Sequence, residues 1–245
     1  MPYLSFLYRF GNPEEYFNFS KHVFKIFGIF GSVTVAYGLY QGLFIAPPDY
    51  QQLDAFRLIY VHVPCAWLSL FIYCMMAGAE TIYLIWKIKV SHLFAVAASS
   101  LGAVTTLLAL ITGSLWGKPM WGAWWVWGDA RLLSELFLLC IYVLYIIVAT
   151  LFEKSKAQWS IPATICVLGI IQIPIIHYSV EWWATLHQGT TVSVFGESLI
   201  DSSMLSPLLI SAIGFSCLAL SLIHLRLMSL LVGHNHDANW VKRYE

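Results

Sequence analysis

The sequence predicts an all-α integral membrane protein with six transmembrane helices and both termini cytoplasmic, and three observations carry that prediction. Of its 245 residues, 59% are apolar and 11% charged, against roughly 25% charged in a soluble domain, and the mean hydropathy is +0.73. Six apolar runs are long enough to cross a hydrocarbon layer of roughly 30 Å, which takes about 20 helical residues. The runs are joined by short polar segments and lack the alternation of barrel strands, so their backbones must be satisfied as helices.

The runs fall at residues 23–46, 58–86, 93–115, 132–152, 161–178 and 206–232, and residues 1–245 read as a single membrane domain. The stretch before the first run carries Arg9, Glu14 and Glu15 and has no apolar core before Val23, so it does not resemble a cleavable signal peptide. The second run opens through Arg57, His62 and Pro64; a proline near a helix start costs little and is expected to aim the imidazole. Glu80, further along, is expected to be solvated or paired near the inner interface. Pro162, Pro174 and Pro207 also lie near span ends. Gly102, Gly113, Gly169 and Gly214, with neighbouring Ser and Ala, are places where helices can approach closely.

Orientation follows from the bases. Arg9, Lys21 and Lys25 precede the first run; Lys87 and Lys89 follow the second; Lys154 and Lys156 follow the fourth; Arg226, Lys242 and Arg243 belong to the end of the sixth run and the tail. The opposite side holds only Arg57, Lys118 and Arg131. The base-rich side is therefore expected to be cytoplasmic. Joints 47–57, 116–131 and 179–205 then lie outside.

Several function classes are excluded or made remote. A net charge of zero and the absence of a basic stripe argue against nucleic acid. The inner joints leave no room for a nucleotide-binding module, so any ATP must be used by a partner. The five cysteines Cys65, Cys74, Cys140, Cys166 and Cys217 form no Cys-x-x-Cys pair and are expected to be buried small hydrophobes.

The 116–131 joint concentrates Trp116, Trp121, Trp124, Trp125 and Trp127 with Asp129 and Arg131. An interfacial belt is one reading of such tryptophans, and it suffices for Trp67, Trp86, Trp159 and Trp240. A stacking platform for a large flat ligand with charged edges, porphyrin first, is the other. His62 and His187 fall on the same outer side, either as hydrogen-bonded filler or as axial ligands from opposite faces of a macrocycle. Arg57 and Arg131 have planar forks that suit carboxylates such as haem propionates; pairing with Asp54 and Asp129 is the alternative.

The segments Trp-Gly-Ala-Trp-Trp-Val-Trp-Gly-Asp-Ala-Arg-Leu, His62-Val-Pro-Cys-Ala-Trp67 and Ser179-Val-Glu-Trp-Trp-Ala-Thr-Leu-His187-Gln together closely resemble the haem exporter protein C family, also called cytochrome c maturation protein C, over essentially the whole chain. The resemblance implies a multi-pass protein of the bacterial or organellar inner membrane that is not an enzyme. Such a protein binds haem b non-covalently, as transient cargo, at the periplasmic face. It presents that haem to a haem chaperone, cytochrome c maturation protein E. An ABC-type ATPase, further membrane subunits and a small single-span subunit are the implied partners. Carried onto this chain, His62 and His187 are the axial ligands of the haem iron. Trp116, Trp121, Trp124, Trp125, Trp127 and Asp129 form the platform, and Arg57 and Arg131 contact the propionates. The signature departs from the family at Gly128, which separates Trp127 from Asp129; a glycine can absorb the insertion as a bulge. A haem-containing electron-transfer protein is the alternative function, but the inner halves of the spans offer no facing histidine pair for a second redox centre.

Overall fold

The computed structural model describes residues 11–187, 189, 192 and 200–244; Arg9, counted above among the inner bases, lies outside them. Helix α1 (Pro13–Tyr40) starts at Asn12, whose Oδ1 accepts from the Glu14 and Glu15 backbone N–H groups at 2.9 and 3.4 Å, and it widens into a π-turn over Gln41–Ile45. A 3-10 turn at Asp54–Leu58 leads into α2 (Ile59–Trp86), followed by α3 (Lys89–Trp121) and α4 (Ala130–Leu151). The fifth span is broken: α5 (Ser160–Leu168), a 3-10 turn at Gly169–Ile171, and α6 (Gln172–Trp182). Helix α7 (Ser202–His234) is the sixth span. Six helical segments among the described residues are long and apolar enough to cross a membrane, running Pro13–Ile45, Asp54–Trp86, Lys89–Trp121, Ala130–Leu151, Lys156–Trp182 and Ser202–His234. No β-strand occurs among the described residues.

The spans are longer than their apolar runs because capping, more than hydropathy, ends them. Most consequential is α3, which continues through Trp116 to Trp121 instead of stopping at residue 115. Gly122, at φ +75°, closes it by donating to the Lys118 carbonyl, the left-handed C-terminal stop that glycine favours. The expected 116–131 joint is therefore helical in its first third.

Small residues set the helix pairs. On α1 and α7, a Cβ added to Gly31 would lie 2.7 Å from the Leu218 nitrogen, and one on Gly214 would lie 2.6 Å from the Val35 nitrogen, so the two backbones touch as glycine-lined membrane helices do. Gly102 of α3 similarly leaves space for the Tyr142 ring. At the break in the fifth span Tyr73 donates to the Cys166 carbonyl at 2.9 Å. This supplies a partner to a carbonyl that hydrocarbon could not satisfy.

In the half of the bundle nearer Lys87 and Lys154, Glu80 is completely buried. Its carboxylate is held by His92 Nδ1 at 2.9 and 3.0 Å and by the Tyr145 hydroxyl, so it is paired, not solvated. Trp159 stacks on His92 with ring centres 4.6 Å apart. At 2% exposure Trp159 is a core residue, as is Trp240 at 8%, and the interfacial-belt expectation fails for both. Cys65, Cys166 and Cys217 are buried, but Cys74 and Cys140 face outward, where an apolar thiol costs nothing against lipid. The first turns of α1 and the segment after α7 meet at this same end, through Arg243 and Glu14 and through Tyr244, whose hydroxyl donates to Asn18 and accepts from Lys21.

Replacing Gly31 with Val should separate α1 from α7 and cost about 1–3 kcal/mol by overpacking. Gly78→Ala, where an added Cβ meets nothing within 4 Å, should be neutral. Thermal melting of the helical circular dichroism signal in detergent checks both.

Candidate functional site

At the opposite end of the bundle, one cleft is built from the start of α2, the end of α3, the start of α4 and the segment after α6. It has two lobes, of about 760 and 1830 Å³ counting their open mouths. Both lobes are lined by Gln52, His62, Ala66, Trp116, Arg131 and His187, so these residues mark a waist between them. The space enclosed by the wider lobe, about 600 Å³, lies within the ~300–1,000 Å³ of a drug-sized ligand site.

His62 projects from the first turn of α2 towards α3. Its Nδ1 lies 3.0 Å from the Ala109 carbonyl and 3.1 Å from the Thr112 hydroxyl. A carbonyl can only accept, so Nδ1 carries the proton and Nε2 keeps its lone pair for the cleft. Gly113 makes the room: a Cβ there would be 3.0 Å from His62 Cε1. α2 continues unbroken through the buried Pro64, which sits in its first turns where few N–H bonds are lost.

His187 faces His62 with ring centres 6.4 Å apart and planes inclined by 35°. It is reached by a segment that Asp129 fastens down. Asp129 Oδ1 accepts from the N–H groups of Arg131 and Leu132 at 2.9 and 3.0 Å, capping α4, and Oδ2 accepts from Leu186 N–H at 2.7 Å. The residue is 3% exposed and does not line either lobe. Gly128 lies in the turn closed by the Asp129 N–H on the Val126 carbonyl at 3.1 Å. Gly128 thus takes its place in the turn without the left-handed backbone for which glycine would be needed.

The arginines separate. Arg131 lines both lobes and sends Nη1 to the Ile176 carbonyl at 2.7 Å, with no side-chain ion pair to Asp129 among the described residues. Arg57 is bound by Asp54 at 2.9 Å and by the Gly42 carbonyl at 2.8 Å. It lines neither lobe and pins the 3-10 turn to the end of α1.

The tryptophans separate as well. Trp116 lines both lobes and meets His62 edge-on, with ring centres 5.7 Å apart; Trp121 lines the narrower lobe. Trp124 and Trp127 are exposed beyond the cleft, and Trp125 packs on Trp127 with ring centres 5.6 Å apart. Among the expected site residues, then, the structure brings together His62, His187, Trp116, Trp121 and Arg131, with Asp129 behind them. Sequence reasoning missed Gln52, which accepts from the Trp116 indole N–H at 2.8 Å, and Glu135, a buried acid in the narrower lobe. The four-residue step from Arg131 to Glu135 was a signal available for the second. The first depends on the fold of the 47–57 joint.

A sequence model of the Heme exporter protein C family matches residues 6–242. The Heme exporter protein C of Haemophilus influenzae is 38% identical over 236 residues, 96% of each chain. That of Escherichia coli K12 is 44% identical over 209 residues, 85% of this chain and 84% of its own. That of Bradyrhizobium diazoefficiens is 41% identical over 218 residues, 89% of this chain and 81% of its own. A match spanning nearly the full length, on a six-span bundle with its histidines facing each other, leads to one assignment: the chain belongs to the Heme exporter protein C family.

Proposed function

We propose that this protein holds haem in the waist of the cleft, for handling in cytochrome c biogenesis, and presents it to a haem chaperone at the outer, periplasmic face of the inner membrane. The observation that carries this is the His62–His187 pair. Imidazoles on opposite faces of one metal, each bonded at about 2 Å, have ring centres roughly 6.3 Å apart, and the observed spacing is 6.4 Å. The proton on His62 Nδ1 presents the correct nitrogen to an iron. Trp116 and Trp121 offer the porphyrin body aromatic surface, and the remaining N–H groups of Arg131 offer a propionate a charge-assisted partner.

The placement outside is supported by charge. Lys21, Lys25, Lys87, Lys89, Lys154, Lys156, Lys242 and Arg243 belong to the end of the bundle away from the cleft, as the cytoplasmic end of a membrane protein requires. The protein's task is then binding and transfer, with the ATP-using and further membrane subunits of a haem-export system as partners and haem b as cargo. Asp129 acts at one remove, holding the His187 segment, and Gln52 acts by orienting Trp116.

His62→Ala and His187→Ala should each abolish the bis-histidine absorbance of haem bound to the purified protein; an unchanged spectrum in either variant refutes axial ligation. Asp129→Ala should cost about 1 kcal/mol as a lost cap and also weaken His187-dependent haem binding about tenfold. A lowered melting temperature with unaltered haem affinity would reduce Asp129 to a helix cap. Gln52→Leu leaves the Trp116 indole without its acceptor, a loss of about 1 kcal/mol that should appear as a roughly fivefold weaker haem affinity in a haem titration.

A further inference from the structure

Glu135 stands one turn along α4 from Arg131, inside the bundle and 7% exposed. Its Oε1 lies 2.7 Å from the Ser69 hydroxyl, whose one proton is shared between this oxygen and the Ala66 carbonyl at 2.8 Å. Ser69 lies about two turns along α2 from His62 and is itself completely buried. Oε2 accepts no hydrogen bond among the described residues. The carboxyl lines the narrower lobe together with His62, His187 and Arg131, whereas the wider lobe does not reach it. An acid placed within a membrane span is costly and calls for a task. Capping is not that task, since Asp129 already caps α4, and no ion pair within 4 Å engages Glu135 among the described residues.

We propose that Glu135 selects the oxidation state of the bound haem, its carboxylate favouring the ferric over the ferrous form. This rests on the reading that haem is held between His62 and His187. The iron–porphyrin core with two neutral imidazoles carries one positive charge when ferric and none when ferrous. Adding one electron therefore removes the charge with which the carboxylate interacts. Arg131 near the same lobe acts in the opposite sense on the core but is drawn to a propionate, which leaves Glu135 as the anion of the protein that faces the narrower lobe. The Ser69 contact fixes the orientation of the carboxyl group. Selectivity of this kind suits a carrier at an oxidising surface, because it holds cargo in one valence until hand-over.

The test is a spectroelectrochemical titration of the purified, haem-loaded protein, comparing wild type with Glu135→Gln, which keeps the Ser69 contact and removes the charge. A unit charge about 10 Å away in partly buried surroundings changes a charge-dependent equilibrium about tenfold. The ferric-to-ferrous affinity ratio should therefore fall about tenfold, seen as a potential about 59 mV higher for this one-electron couple, with the bis-histidine spectrum intact. Glu135→Asp, which retains the charge, should keep the ratio within about threefold of wild type, a bound from the same Coulomb estimate. If the glutamine variant does not accumulate, Glu135→Met, of similar length and uncharged, carries the same readout. An unchanged potential in the uncharged variant, with haem still bound by both histidines, overturns the role of Glu135 alone. A wild-type protein whose haem spectrum does not depend on His62 and His187 overturns the underlying reading and this inference with it.

Discussion

The Asp129 carboxylate is the joint on which the outer half of this protein depends. Two oxygens accept three backbone N–H groups from two segments distant in sequence, the first turn of α4 and the residue before His187. Buried at 3% exposure, such charge-assisted bonds are stronger than their solvent-exposed counterparts. Through them the direction of α4, and hence the positions of Arg131 and Glu135, is fixed relative to a histidine that belongs to no helix. A loop that holds the histidine of the proposed ligand pair needs such a fastening, because loops otherwise have the freedom that ligation must remove.

The inner and outer halves solve the problem of buried polarity differently. In the inner half Glu80, His92 and Tyr145 satisfy one another and are sealed by Trp159, so that network ties α2, α3 and α4 together and offers nothing to a ligand. In the outer half the corresponding groups are satisfied on one side only. His62 is bound through Nδ1, Arg131 through Nη1 and Glu135 through Oε1, and the second functional atom of each is left for the cleft. That half-satisfaction distinguishes a binding site from a staple.

The six spans were legible in the sequence because hydrocarbon imposes length and composition on every crossing segment. His62, His187, Trp116 and Arg131 were legible because few polar or aromatic residues of their kind gather on one side of the chain. Other features lay beyond sequence reasoning for identifiable reasons. The end of α3 is decided by Gly122, a backbone effect that hydropathy does not register, so Trp116 and Trp121 were assigned to a loop. Trp159 and Trp240 resembled interfacial anchors by position, but tertiary packing buried them. Arg57 and Arg131 look alike in sequence, and only the π-turn at the end of α1, which offers the Gly42 carbonyl, diverts the first. Glu135 was hidden within an apolar run, on the same buried side as Leu138, Tyr142, Tyr145 and Ala149, so hydropathy alone did not set it apart.

The waist shared by the two lobes also has a kinetic meaning. A pocket with a single mouth releases its ligand by retracing the path of entry, and any partner covering that mouth traps the ligand. Here the same six residues border both lobes, so under the proposed reading a ligand at the waist meets both. A partner seated over the wider lobe would cover one side of that ligand and leave the other facing the narrower lobe.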